Sequence, residues 1–289
     1  MKGIWTVIPT IFTQSDSIDL EAISKLIDIQ VEKNVNGIVL LGTTSEVSTL
    51  TNEEKHLIVT YVNDKYKDKI NIMIGVGGNN TKEVDESIQN VKAFCDYIML
   101  TVPYYNKPNQ EGLCEHFTSL ANKHADVKFI IYNIPGRSAV NLEISTLLDI
   151  LKNTTNIIGI KEASGNIAQI YETIQKTNLD VMSGDDALLI PVMAFGGKGV
   201  ISVVSNIVPE KMNIIYKNCR ENNFKQALEE YNGIDKICKT CFITSNPIPL
   251  KMMLKKMNLI NNDFVRLPLK IPTKDQKVLD EIKNILLNI

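Results

Sequence analysis

The feature that most constrains this chain is a rhythm. Eight short β-type apolar runs recur along it, at Gly3–Pro9, Gly37–Leu41, Ile70–Gly75, Tyr97–Thr101, Lys128–Asn133, Ile157–Glu162, Asp180–Ser183 and Gly199–Val203, with helix-length amphipathic segments between them. Strands that alternate with helices return in the same direction each time, so the sheet they build is parallel. Leu20–Lys33 illustrates the helices: Ile23, Leu26, Ile27, Gln30 and Val31 share one face, acidic residues and lysines take the other, and Ser17 or Asp19 is placed to cap the start. Eight such units predict an α/β fold, a (β/α)8 TIM barrel. A doubly wound open sheet is the alternative, but it usually opens with a glycine-rich turn after its first strand, and Thr10–Ser15 is not one.

After about Asn222 no strand pattern continues. Phe224–Thr244, Pro247–Asn258 and Lys274–Leu287 read as helices, and Asn246-Pro247 reads as an N-cap followed by proline at the first helical position. The expected organisation is a catalytic barrel over residues 1–222 and a small C-terminal helical domain over 223–289.

Composition closes off several classes of function. With 31 Lys and Arg against 33 Asp and Glu, the net charge is −2 and there is no basic run for nucleic acid. No stretch reaches the ~18 apolar residues of a membrane span, and Met1–Trp5 leads straight into the first strand rather than into a signal peptide. Cytoplasm is the expected compartment. Five cysteines, an odd number at irregular spacing, point to reduced thiols. Cys238-Lys239-Thr240-Cys241 fits CxxC but lies inside a helical run, which favours two small core residues. His56, His116 and His124 form no metal-binding pair, so neither a metal nor another cofactor is expected.

A barrel's chemistry sits at the C-terminal ends of its strands. Those ends read Leu41-Gly42-Thr43-Thr44-Ser45-Glu46, Thr101-Val102-Pro103-Tyr104-Tyr105-Asn106, Tyr132-Asn133-Ile134-Pro135-Gly136-Arg137, Lys161, and Ser183-Gly184-Asp185-Asp186. A lysine at a strand end ordinarily snorkels, with its head in water. If buried, its pKa falls from about 10.4 toward neutrality, and a neutral amine beside a carbonyl compound forms a Schiff base. Hydroxyls and exposed amides after Gly42 can hold a carboxylate, the Tyr132 phenol can relay protons, and Arg137 can grip a second acid group through two hydrogen bonds. Each of these residues also has a plain structural reading, as a cap, a satisfied core tyrosine or a surface ion-pair partner. Their joint placement at one rim tips the balance toward chemistry. Gly75-Val76-Gly77-Gly78-Asn79-Asn80-Thr81 looks like a phosphate loop, yet it follows the third strand and reads as a tight turn; Phe195–Gly199 precedes the eighth strand and reads the same way.

These motifs resemble the dihydrodipicolinate synthase/N-acetylneuraminate lyase family of class I aldolases. Gly42-Thr43-Thr44-Ser45-Glu46 resembles the family's GTTGE, Tyr132-Asn133-Ile134-Pro135 its YNxP, and Gly159-Ile160-Lys161-Glu162 its G-I-K-[ED]. Pro103–Pro108 and Asn246-Pro247-Ile248-Pro249-Leu250-Lys251 are similar to the synthase branch, as is Arg137 just after YNxP. The resemblance implies a pyruvate-dependent enzyme whose second substrate is L-aspartate 4-semialdehyde, with Lys161 as imine former and Tyr132 as proton shuttle linked through Thr43 to Tyr105 of a neighbouring subunit. It also implies that Thr44 holds the pyruvate carboxylate, Arg137 holds the semialdehyde, and Gly184 and Ile201 line the pocket. A homo-oligomer is implied, usually a tetramer of tight dimers. Asn79, Glu83 and Tyr104 match the family's site for feedback inhibition by lysine, whereas Asn52 and Lys55 stand where sensitive members often carry histidine. The extra positive charge of Lys55 predicts weak or absent inhibition. Ser45 replaces the motif's usual glycine, which puts the geometry of that loop in question. A lyase of sialic or keto-deoxy sugar acids and a noncatalytic carboxylate-binding barrel remain as competing readings.

Overall fold

The computed structural model describes residues 1–285. Eight strands, β1 (Gly3–Val7), β2 (Gly37–Leu40), β3 (Asn71–Val76), β4 (Tyr97–Thr101), β5 (Phe129–Asn133), β6 (Ile157–Glu162), β7 (Asp180–Ser183) and β8 (Gly199–Ser202), form one closed parallel barrel in chain order, β8 pairing back onto β1. Closure removes the open-sheet alternative and leaves no strand edge unpaired. Helices α1 (Leu20–Glu32), α2 (Asn52–Tyr66), α3 (Thr81–Val91), α4 (Gln110–Lys123), the one-turn α5 (Pro135–Ser138), α6 (Ile144–Lys152), α7 (Ile167–Lys176) and α8 (Leu189–Ala194) connect the strands, and α9 (Pro209–Arg220) follows β8.

Strand periodicity divides the core in two. Ile4, Ile38, Leu40, Ile72, Ile74, Ile98, Leu100, Ile131, Ile160 and Val200 point outward into the layer beneath the helices. The alternate residues Trp5, Val7, Val39, Met73, Met99, Ile130, Tyr132, Met182 and Ile201 fill the barrel interior. Trp5 occupies so much of that interior that a Cβ on Gly37 would lie 2.4 Å from its ring, so only glycine fits there. Lys161 is in register with Tyr132 on one side and Met182 on the other, and so belongs to the inward set.

Of the two candidate caps for α1, Asp19 is the one used: its carboxylate accepts from Ala22 N at 2.9 Å. Gln30 faces inward as expected and accepts from the Thr6 hydroxyl at 2.8 Å.

The C-terminal helices depart from expectation in two places. The single helix predicted over 224–244 is two, α10 (Phe224–Asn232) and α11 (Asp235–Thr240), broken at Gly233-Ile234 so that Ile234, Ile237 and Cys238 reach the core. Glycine after Asn232 is the weak link in that pattern. Asn246 does not cap α12 (Ile248–Lys256); Pro247 takes the cap position without a side-chain bond, and the Asn246 amide is engaged elsewhere. Helix α13 runs Gln276–Ile285, and the remainder of its predicted span, 286–287, lies outside the described residues. No helix among the described residues is long and apolar enough to cross a membrane.

Candidate active site

Lys161 closes the inward face of β6 near the C-terminal rim. It is only 6% exposed, and its Nζ lies 4.0 Å from the centroid of the Tyr132 ring, with no hydrogen bond or ion pair among the described residues. Desolvation therefore acts on an ammonium with little to offset it. Burial pushes the amine down to about 7, the nearby Asp186 carboxylate pulls it back up, and the Arg137 guanidinium pushes it further down. The Tyr132 phenol is pushed up to about 12 by burial, against the opposing pull of Arg137 and a contact with Thr43. The pair is thus an amine whose neutral form is accessible near neutral pH beside a phenol that keeps its proton.

The loop after β2 begins with Leu41 at φ 53° and folds Thr43–Ser45 into a 3-10 turn. Thr44 is buried. Ser45 fits without strain: its hydroxyl donates to Ile8 O at 2.7 Å and its carbonyl accepts from Thr10 Oγ1 at 2.7 Å. The left-handed residue is the next one, Glu46, at φ 54°, so the geometry questioned at Ser45 is supplied one position later.

Two cavities open at this rim. The first, of about 200 Å³, is lined by Thr43, Thr101, Tyr104, Tyr132, Arg137 and neighbouring apolar groups. Gly75 and Gly77 also form part of its wall, so the glycine-rich turn after β3 shapes the site. At Gly75 a Cβ would meet Leu41 O at 2.6 Å. The second cavity, of about 590 Å³, is lined by Arg137, Ala163, Gly184, Asp186 and residues of α10 and α11. Arg137, on α5, borders both and has no ion-pair partner among the described residues. Gly184 packs so closely that a Cβ would lie 2.5 Å from Ala163 Cβ. Ile201 lies on β8, inside the barrel.

Tyr105 is not brought into either cavity of this chain. It projects from the loop after β4, 87% exposed at φ 74°. Asn79 and Glu83 lie on the surface, where Asn79 O accepts from Asn106 Nδ2 at 2.9 Å and Glu83 Oε1 accepts from Asn80 Nδ2 at 2.9 Å. Tyr104 lines the first cavity instead.

Sequence reasoning assigned no role to Asp186. It is buried, held by Val203 N at 3.0 Å and Val204 N at 3.2 Å, and burial raises its carboxyl to about 6. The Ser-Gly-Asp-Asp run marked the place; which aspartate turns inward was decided by the approach of β8. Also unforeseen is the network behind Lys161, where Glu162 accepts from Asn133 Nδ2 at 3.0 Å, Ser164 N at 2.8 Å and Gln169 Nε2 at 3.2 Å.

Cys238 borders the second cavity, whereas the other cysteines and the histidines line neither. Burial pushes the Cys238 thiol up to about 12 and the Cys241 thiol well above its ordinary range, which disfavours the reactive thiolate in both. His116, bonded to Thr81 at 2.9 Å, is pushed down to about 4 by burial, and His124 pairs with Asp85 at 2.8 Å. No group of three potential metal-ligating side chains occurs among the described residues.

A model of the dihydrodipicolinate synthetase family matches residues 1–288. Among curated relatives, 4-hydroxy-tetrahydrodipicolinate synthase of Persephonella marina is 39% identical, covering 98% of both chains. The enzyme of the same name from Phocaeicola vulgatus is 37% identical over 98% of this chain and 97% of its own. The crystal structure of dihydrodipicolinate synthase from Aquifex aeolicus superposes with a TM-score of 0.95 at 32% identity, covering 99% of this chain and 97% of that one.

Proposed function

The chain belongs to the dihydrodipicolinate synthetase family, and from that premise we propose that Lys161 is the nucleophile of the reaction the chain catalyses. That reaction condenses pyruvate with L-aspartate 4-semialdehyde to 4-hydroxy-tetrahydrodipicolinate, the committed step toward diaminopimelate and lysine. The observation that carries the assignment is the buried, unpartnered amine with its pKa near 7.

The neutral Nζ attacks the keto carbon of pyruvate, and loss of water gives an imine. The protonated imine draws electrons from the methyl carbon, which loses a proton to become an enamine. The enamine carbon then attacks the aldehyde carbon of the semialdehyde, whose oxygen takes up a proton as the new hydroxyl. Finally the amino group of the adduct attacks the imine carbon, closes the ring and releases Lys161. In this scheme Tyr132 carries the protons, passing them through Thr43 to Tyr105 of a neighbouring subunit. Thr44 holds the pyruvate carboxylate, while Gly184 and the Ile201 carbonyl line the pocket. Arg137 holds the carboxylate of the semialdehyde, a role suited to a guanidinium bordering both cavities with no partner of its own.

We propose a homo-oligomer, a tetramer of tight dimers; Tyr105, exposed and lining neither cavity of its own chain, supports a site completed across an interface. A cytoplasmic location accords with five unpaired cysteines.

The test is pyruvate consumption by the purified protein with L-aspartate 4-semialdehyde, N-acetylmannosamine or glyceraldehyde as acceptor, alongside borohydride trapping of pyruvate. Strong preference for the semialdehyde is expected. Preference for a sugar aldehyde would keep the imine chemistry and overturn the role given to Arg137; failure to trap pyruvate would overturn the role of Lys161.

A further inference from the structure

Two side chains from beyond the barrel reach the loop after β2. Asn246 Nδ2 donates to Thr44 Oγ1 at 2.8 Å, both residues being buried. Five residues on, Lys251 forms a buried ion pair with Glu46, two residues past Thr44. We infer that Asn246 is a positioning residue for pyruvate: by donating to Thr44 it commits the Thr44 hydroxyl hydrogen to the substrate carboxylate. The inference rests on the reading of Thr44 as the group that holds that carboxylate.

A threonine hydroxyl has one hydrogen and two lone pairs. Facing a carboxylate, it helps only as a donor. The Asn246 amide fills a lone pair, and Thr44 Oγ1 has no other hydrogen-bond partner among the described residues, so its hydrogen is left over. The arrangement leaves the Asn246 carbonyl, Oδ1, buried without a partner. A half-satisfied buried amide is a cost the fold carries, and it is understandable where the donor half is needed. The segment that presents Asn246 is held stiffly. Pro247 and Pro249 restrict its backbone, and Lys251 anchors it through Glu46 and through Phe264 O at 2.9 Å.

The test compares pyruvate KM and kcat in the parent, Asn246→Asp, Asn246→Ala, Thr44→Val and the Thr44→Val/Asn246→Asp double variant, with thermal denaturation as the fold check. Aspartate has the same shape but only accepts, so it captures the Thr44 hydrogen. Asn246→Asp is expected to raise pyruvate KM roughly tenfold while kcat moves less than about threefold. Asn246→Ala frees the hydroxyl to rotate and raises KM less. In the Thr44→Val background, Asn246→Asp adds nothing. A merely structural role predicts the reverse order, since alanine leaves the larger void. If Thr44→Val raises KM but Asn246→Asp does not, or if alanine is as damaging as aspartate, the inference fails while the Thr44 reading stands. A full effect of aspartate in the valine background, which simple charge repulsion would produce, also overturns it. If Thr44→Val leaves KM unchanged, the Thr44 reading fails and the inference falls with it. Should a buried aspartate prevent folding, Asn246→Leu replaces it and must raise KM only when Thr44 is present.

Discussion

Lys161 and Lys251 invite comparison because their surroundings are alike in all but one respect. Both are buried, both lie against an aromatic ring (Nζ 4.0 Å from the Tyr132 centroid and 4.5 Å from that of Phe12), and in both burial pushes the amine down, to about 7 and about 8. They differ in partners. Lys251 is bonded to the buried Glu46 and to Phe264 O, and the second Glu46 oxygen accepts from Arg266 N at 3.0 Å. Among the described residues the one carboxylate that favours the charge of Lys161 is Asp186, not bonded to it and itself raised to about 6. A buried cation with a bonded partner holds structure together; one without is destabilising as an ammonium and available as a nucleophile.

Four experiments would break or sharpen that contrast. The largest effect is expected from Lys161→Ala, which should abolish imine formation and lower turnover by at least about 10³-fold. It should leave the melting temperature unchanged or higher. Intact mass after pyruvate and borohydride reads the first outcome and calorimetry the second; a trapped adduct in the variant would refute the assignment.

Lys251→Met should do the opposite. It strands Glu46 in the core, and a loss of about 3–5 kcal/mol is expected in urea denaturation. The protein that remains folded should still trap pyruvate on Lys161. Pairing the change with Glu46→Gln should recover part of the loss, and a Lys251→Met variant as stable as the parent would remove the distinction between the two lysines.

The third experiment uses pH. The Lys161 amine must be neutral to attack, so imine formation should rise through pH 7 and level off above it. Stability carries the matching sign. Below about 7 the amine is protonated in folded and unfolded chains alike, and the burial penalty is fully present. Between about 7 and the ordinary lysine value near 10.4 the unfolded chain binds the extra proton, so stability rises with pH. The stability advantage of Lys161→Met over the parent should therefore shrink across that window, with the titration of Lys251 cancelling in the difference; an advantage that is flat with pH would show the amine is not depressed.

The smallest effect concerns a third lysine, partly exposed. Lys55, on α2, is partly exposed, and we propose that its positive charge weakens the binding of a cationic effector at Asn79, Glu83 and Tyr104. Inhibition by free lysine should be weak or absent in the parent, and Lys55→His should strengthen it modestly. Half-inhibition of the parent by sub-millimolar lysine would contradict this.

Much of the fold was legible in advance because it rests on local pattern. The eight apolar runs and the βα spacing survive as β1 to β8 in a closed barrel. The rim residues Thr43, Tyr132, Arg137 and Gly184 were likewise readable, since a barrel gathers its strand ends whatever the details. The errors arose where a residue had to choose between a local partner and a distant one. Asn246 had the appearance of a helix cap, but its amide is engaged by Thr44. The predicted helix 224–244 breaks at Gly233 so that Ile234 can reach the core.

Sequence alone thus determined the barrel, its rim and the lysine at the end of β6, because strand periodicity and residue chemistry are properties of short segments. Only the tertiary structure decided that Lys161 would be unpartnered and Lys251 paired. Nothing local distinguishes the two amines; what separates them is whether a carboxylate from a part of the chain remote in sequence, Glu46 across 205 residues, closes on the ammonium.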